Sequence, residues 1–204
     1  MRKTNTDIFE FEGAKAMNGT IKNTALSSAV GKEGGPAALI TSDAHGLTVT
    51  YSKQPLIYIQ SMADVAYDER HKPDLYNGLR RLWAVTTNNF TILLNNAFVA
   101  QTPAGTETWF VGVSYDEPWE FLGYELHMSD TGTTTENLTI TKDAKAGAIF
   151  DTLIATQAMA AVTNLEDIHL DDPRPMKAGD VIKFAYANTS VRVWGLKIYA
   201  RRVA

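Results

Sequence analysis

Short stretches in which apolar and polar residues alternate recur along most of the chain. Over residues 109–115 the odd positions are apolar and the even positions are mixed, which is the period-two pattern of a strand that is buried on one face. Such stretches are rich in β-branched and aromatic residues, and Gly, Pro or Asn interrupts them about every ten residues. We therefore predict strands at 38–41, 47–51, 56–60, 82–86, 90–94, 108–115, 121–128, 137–142, 149–156, 167–170, 181–187 and 191–201.

Local signals predict the turns between these strands. Because Asn tolerates positive φ, Thr87-Asn88-Asn89 predicts a tight hairpin, and the glycine of Lys177-Ala178-Gly179-Asp180 predicts a chain reversal. The apolar phase changes between Val193 and Trp194, which predicts a β-bulge. Residues 156–165 are rich in alanine and could instead form a helical turn.

Changes in composition divide the chain into three parts. Residues 1–36 are polar and dotted with glycine, and they predict an extended N-terminal arm that either frays or adds to a neighbouring subunit through Phe9 and Phe11. Residues 37–117 predict a small barrel-like β module with a charged insertion at 61–81. Residues 118–204 predict a jelly-roll-like β-sandwich. The predicted fold class is therefore all-β, with two small β domains and an arm.

Charge and composition exclude several classes of function. Among 204 residues, 19 Lys and Arg stand against 23 Asp and Glu, giving a net charge of −4, so we expect neither a nucleic acid nor an anionic membrane as a partner. The chain has no cysteine, which excludes disulfides, thiolate zinc sites and a thiol nucleophile. No apolar run resembles a signal peptide or a membrane span. We therefore expect the sequons at Asn18, Asn89 and Asn137 to carry no glycan.

Two histidines stand in polar surroundings. His45 lies in an Ala-His-Gly-Leu turn without a second ligand nearby, so we interpret it as a turn-capping residue rather than a metal ligand or base. His71 lies in Asp68-Glu69-Arg70-His71-Lys72, which is typical of a solvated loop.

Residues 167–172 form the strongest candidate metal site. In a strand, Asp167, His169 and Asp171 would share one face, about 6.6 Å apart from one to the next. That spacing requires a second element to complete the site. We favour a polar outer face that alternates with buried Ile168 and Leu170.

Acidic residues next to aromatic ones raise the alternative of a glycosidase or sugar-binding cleft. The acids are Asp116, Glu117 and Glu120, and the aromatic residues are Tyr115, Trp119 and Tyr124. Aromatic rings in small β domains more often fill the core or an interface, and we favour that interpretation. No Gly-x-Ser-x-Gly motif is present, and Gly31-Lys32-Glu33-Gly34-Gly35-Pro36 lacks the ending of a phosphate loop. We predict no catalytic, cofactor-binding or metal-binding residues, and no enzyme.

Two groups of motifs resemble virion proteins of tailed bacteriophages. The first group resembles a small β module of those proteins. Its motifs are Ile40-Thr41-Ser42-Asp43-Ala44-His45-Gly46-Leu47, Tyr76-Asn77-Gly78-Leu79 and Val85-Thr86-Thr87-Asn88-Asn89-Phe90-Thr91-Ile92. This chain departs from that module at Ser52-Lys53-Gln54-Pro55, where the module places a Gly-Asp-x-Val turn. The second resembles their C-terminal β-sandwich; its motifs are Leu138-Thr139-Ile140, Lys145-Ala146-Gly147-Ala148-Ile149-Phe150-Asp151-Thr152-Leu153, Pro175-Met176-Lys177-Ala178-Gly179-Asp180, Tyr186-Ala187-Asn188 and Trp194-Gly195-Leu196.

The resemblance implies a structural protein of the virion, assembled in the host cytoplasm. We expect a capsid decoration or head-attached protein that forms a homo-oligomer and contacts major capsid or tail proteins. A tail or neck component is an alternative, and so is a carbohydrate- or receptor-binding module. Exposure of Trp109, Trp119 and Trp194 separates these classes, because a sugar-binding module needs aromatic side chains at its surface.

Overall fold

The part of the chain that the structure describes folds into strands and turns. The structure is a computed structural model, and it describes residues 6–30, 35–43, 45–49, 56–62, 76, 78–94, 98–132, 135–144 and 148–203. The all-β prediction is confirmed. Besides one 3-10 turn at Ala148–Phe150, the elements in these ranges are β1 (Thr6–Gly13), β2 (Asn18–Thr20), β3 (Ser27–Val30), β4 (Pro36–Thr41), β5 (Leu56–Gln60), β6 (Gly78–Val85), β7 (Asn89–Leu93), β8 (Thr108–Ser114), β9 (Trp119–Met128), β10 (Asn137–Asp143), β11 (Thr152–Ala158), β12 (Asn164–Ile168), β13 (Arg174–Met176), β14 (Val181–Ala185) and β15 (Trp194–Arg202).

The strands form two antiparallel sheets. The first has the order β1-β15-β9-β12, and β13 pairs with the start of β9. The second has the order β11-β10-β14-β8-β5-β6-β7-β4-β3, and β2 also pairs with β8. Among the described residues, the terminal strands β11 and β3 are each paired on one side. The second sheet is therefore open, and the barrel-like closure expected for residues 37–117 does not form.

The two sheets pack face to face around one buried core, as in a sandwich. On β15, the residues Trp194, Leu196, Ile198 and Ala200 are buried while their neighbours are more exposed. Tyr124 of β9 contacts Phe184 of β14, with ring centroids 5.4 Å apart. Side chains from all three predicted parts of the chain enter this core, and the division into an arm and two domains stays a prediction.

The predicted N-terminal arm is bound to the rest of the same chain. β1 pairs along its whole length with β15, from Thr6 opposite Arg201 to Gly13 opposite Trp194. Phe11 is buried, and the Tyr115 hydroxyl donates a hydrogen bond to Asp7 Oδ2 at 2.6 Å. The strand addition predicted for this segment is therefore made here to the C-terminal strand of its own chain.

β2 continues the sheet where β14 stops. β14 pairs with β8 from Val111 to Ser114, and β2 pairs with β8 from Thr108 to Phe110. The Met17 backbone N–H donates to the Tyr186 carbonyl at 2.9 Å, directly after β14. β2, in the segment before residue 36, therefore fills the place beside β8 that β14 leaves unpaired.

Two of the predicted turns form, and one of them forms for a different reason. Gly179 has φ 81° in the turn from Lys177 to Asp180, as predicted. The hairpin between β6 and β7 closes through a bond from the Thr86 N–H to the Asn89 carbonyl at 2.8 Å. Among the described residues other than glycine, positive φ occurs at Ser61, Ala161, Asn188 and Val191. The predicted use of positive φ by the hairpin asparagines is therefore wrong.

Three other local predictions are corrected by the structure. The bulge predicted near Val193 is wrong, because β15 begins at Trp194 and its register shift lies between Tyr199 and Ala200. The helical turn proposed for 156–165 does not form, since β11 continues to Ala158 and the chain then turns at Ala161, whose φ is 62°. The strand predicted at 47–51 is reduced to a single bridge at Leu47 in its described part. Most of the insertion predicted at 61–81 and of the glycine-rich segment 31–36 lies outside the described residues.

Candidate functional site

His45 is a buried cap of the turn that precedes Leu47. Its Nδ1 accepts a hydrogen bond from the Leu47 backbone N–H at 3.0 Å, so Nε2 carries the proton and donates to the Asn89 carbonyl at 3.1 Å. Burial lowers the pKa of His45 and the charge of Lys15 lowers it further, although the bond to Asn89 raises it. The imidazole is therefore neutral, and both of its nitrogens are occupied by the backbone. His71 lies outside the described residues.

The candidate metal ligands at 167–171 come together only in part. His169 Nε2 lies 2.5 Å from Asp167 Oδ1, and both side chains are partly exposed. Asp171 lies beyond the end of β12, in an exposed turn. Across the described residues, no group of three or more His, Asp or Glu is arranged to hold a metal ion. The expected burial of Leu170 is wrong, since this side chain is 55% exposed because β12 ends at Ile168.

The acidic residues near Trp119 are bound to arginines of the C-terminal strand. Glu120 Oε2 accepts a hydrogen bond from Arg201 Nε at 2.7 Å. Glu117 Oε1 lies 3.0 Å from Arg202 Nη1, while Asp116 is exposed. These contacts engage Glu117 and Glu120, which are two of the three acids considered for a sugar cleft.

The three diagnostic tryptophans are all buried. Trp109, Trp119 and Trp194 are each at most 1% exposed. The Trp194 Nε1–H donates to the Lys15 carbonyl at 2.6 Å, which fastens the segment after β1. These rings stabilise the fold and present no aromatic surface to a sugar.

A shallow depression of about 190 Å³ lies on the outer face of the first sheet. It opens above Gly195, where an added Cβ would have no neighbour within 4 Å. The register places Glu12, Gly195 and His127 side by side on β1, β15 and β9. The depression is lined by Glu10, Phe11, Glu12, Glu125, His127, Gly195, Leu196 and Lys197.

The charged groups in this depression interact with one another. Glu125 Oε2 lies 3.3 Å from Lys197 Nζ. A hydrogen bond from the Tyr199 hydroxyl lowers the pKa of Glu125, and Lys197 adds to this shift. Burial and the bond to Glu125 raise the pKa of Tyr199 to about 12. Glu125, Lys197 and Tyr199 therefore satisfy part of one another's charge and hydrogen-bonding capacity.

Among the described residues, the largest group of exposed apolar side chains lies at the edge of the second sheet beside β11. Ile149, Phe150 and Leu153 are 88%, 56% and 59% exposed, respectively, and they lie within five consecutive residues. Together they leave about two complete apolar side chains in water, and burying these would contribute roughly 3–6 kcal/mol per copy. We name Ile149, Phe150, Leu153 and the free side of β11 the β11 edge. Large exposed apolar patches mark interaction sites.

Sequence reasoning placed 149–156 in a strand but missed its exposure. An available signal is the absence of charge, since residues 152–165 contain no Asp, Glu, Lys or Arg. A buried central strand has the same composition, so the sequence alone does not separate the two cases.

No family model matches the chain, and neither a curated protein nor a solved structure matches it. In the described ranges, no helix combines the length and the hydrophobicity that crossing a membrane requires. Residues and geometry are therefore the basis for any functional conclusion.

Proposed function

We propose that this chain is a non-enzymatic structural protein of a bacteriophage particle, a capsid decoration or head-attached protein that acts through contacts between subunits. The motifs at 40–47 and 138–153 support the proposal through their resemblance to virion proteins. The sandwich-like all-β architecture agrees with that resemblance.

The observation that carries the proposal is the contrast between the interior and the β11 edge. The described histidines, paired acids and tryptophans considered for chemistry are hydrogen-bonded, ion-paired or buried. Apolar side chains, in contrast, are exposed at the β11 edge. Free energy is therefore gained when another protein surface covers this edge, without any bond being made or broken.

The β11 edge supplies only part of a stable interface. The exposed parts of these three side chains, equivalent to about two complete ones, supply much less than the roughly 800 Å² per partner that a standard interface needs. The remainder comes from the backbone of β11 and from surrounding surface. A protein of a regular particle gains such area by contacting several neighbours at once.

Mass spectrometry of purified particles from the phage that encodes this chain tests the proposal. We expect peptides of the chain in intact particles, in a fixed ratio to the major capsid protein. Particles assembled without the chain should form heads and should bind the purified chain when it is added back. Absence from particles would refute the proposal. A few copies per particle, with failure of tail attachment in the deletion, would replace the head assignment by a neck component.

A further inference from the structure

We infer that the β11 edge is the contact by which two copies of this chain associate about a two-fold axis, with the two β11 strands antiparallel. This inference rests on the proposed function and names a second copy of the chain as the partner of the β11 edge. It assigns a specific role to Ile149, Phe150 and Leu153.

The backbone of β11 identifies the kind of partner. β11 pairs with β10 on one side, and among the described residues no strand pairs with its other side. The N–H and C=O groups on that side are available to another extended strand. A strand is therefore the element that satisfies this edge and covers its apolar side chains together.

The lack of charge on β11 favours a second copy. An antiparallel two-fold pair places each residue near its own equivalent or a close neighbour, so a charged edge strand would repel itself. β11 and the segment that follows it to Leu165 have no charged residue. The one charge among the residues of the edge is Asp151, just before β11, whose Oδ1 accepts a hydrogen bond from the Ala144 N–H at 3.3 Å. The edge strand β1 of the first sheet differs, because it carries Asp7, Glu10 and Glu12. Self-pairing is thus electrostatically permitted at β11 and disfavoured at β1.

The two ends of β11 have complementary sizes. Ile149 and Phe150 lie before the strand, while Ala158, Ala160 and Ala161 lie at its end or just after it, and all five are exposed. Antiparallel pairing brings the start of one strand beside the end of the other. The large side chains of one copy then cover the small alanines of its partner at both ends of the contact.

A register shift limits where the strands pair. Ile154 is the extra residue of β11 between the pairs Ile140–Ala155 and Thr141–Leu153. A bulge disturbs the edge locally, so we expect regular pairing from Ala155 to Ala158. Leu153 then lies just outside the paired residues, where its side chain packs on the partner while its backbone does not join the strand pairing.

Sedimentation velocity of the full-length chain and of two matched variants tests the inference. Leu153→Lys places one charge per copy at the contact, and we expect the dimer to weaken by at least tenfold. Leu170→Lys changes the same residue type at similar exposure, 55% against 59%, and should leave association unchanged. Circular dichroism must show that both variants fold. Equal association of all three proteins would overturn the inference, even if the chain is a particle component.

Single cysteines provide a second test, because the chain has none of its own. Thr156→Cys should form an intermolecular disulfide on mild oxidation, since paired strands bring Cα atoms within the range that a disulfide spans. Leu170→Cys should remain reduced at the same protein concentration. Equal crosslinking of the two variants would overturn the inference. A chain that is monomeric alone but occupies particles through β11 would also overturn it, and would assign the edge to another virion protein.

Discussion

Neutral His45 in the core predicts that stability falls in mild acid. The folded imidazole is 1% exposed, and its nitrogens are used by the Leu47 N–H and the Asn89 carbonyl. Protonation would give Nδ1 a hydrogen that faces the Leu47 N–H. Burial lowers the pKa of His45 below the ordinary histidine value of 6.5, whereas His45 in the unfolded chain keeps that ordinary value.

The direction of the effect follows from proton binding. Below pH 6.5 the His45 imidazole binds a proton in the unfolded chain but stays neutral in the folded chain. The free energy of unfolding therefore decreases as pH falls. One proton limits the slope to about 1.4 kcal/mol per pH unit. If the folded imidazole stays neutral, the loss is about 1.4 kcal/mol at pH 5.5 relative to pH 7.5 or above. The contribution of this group is constant above pH 7.5.

Urea unfolding between pH 7.5 and pH 5.5 measures this loss. The wild type should lose more stability over this range than His45→Gln, whose amide can still accept and donate one hydrogen bond each. If His45→Gln does not fold, the ring C–H resonance of His45 in the wild type should stay unshifted down to pH 5.5. An identical pH slope in wild type and His45→Gln, or a titrating resonance, would refute the reasoning.

Three further changes have predicted effects on the free energy of unfolding. Glu107→Gln should lower the free energy of unfolding by about 1–3 kcal/mol at pH 7, because the buried carboxylate accepts hydrogen bonds from the N–H groups of Ala104, Gly105 and Thr106 at 2.7, 2.8 and 3.0 Å. Burial raises the pKa of Glu107, but these bonds lower it overall. The cost of the substitution should therefore shrink as pH falls through that pKa, and a cost that does not change with pH would contradict this. Gly123→Ala should abolish folding or cost about 4 kcal/mol or more, because φ is +130° and a Cβ would lie 1.9 Å from the Asp167 carbonyl oxygen; an unchanged thermal midpoint would contradict it. Val191→Asn should raise the free energy of unfolding by about 1 kcal/mol, because Val191 is a β-branched residue at φ 52°. Val193→Asn is the matched control, since Val193 does not have positive φ, and equal effects of the two substitutions would exclude backbone strain as the cause.

Period-two patterns predicted most of the strands after residue 36, but they missed β2, β3 and β13 and did not predict which strands pair. The alternation at 108–115 and 181–187 predicts β8 and β14 closely. Pairing between β1 and β15 joins residues almost a full chain length apart, and the sequence contains no local signal for it. The same limit applies to β2, whose partner β8 is chosen by the gap that β14 leaves.

Exposure at the β11 edge depends on strand order, which the sequence did not supply. The uncharged stretch 152–165 would be ordinary if β11 lay between two strands, because a central strand buries such side chains. Its last position in the second sheet makes Leu153 an exposed residue instead. Folding of one copy therefore leaves apolar surface of this stretch in contact with water, and association of two copies would bury that surface. Association that buries the edge stabilises the folded state more at higher protein concentration, with a logarithmic dependence. The unfolding midpoint of the wild type should therefore rise with concentration, while that of Leu153→Lys should not.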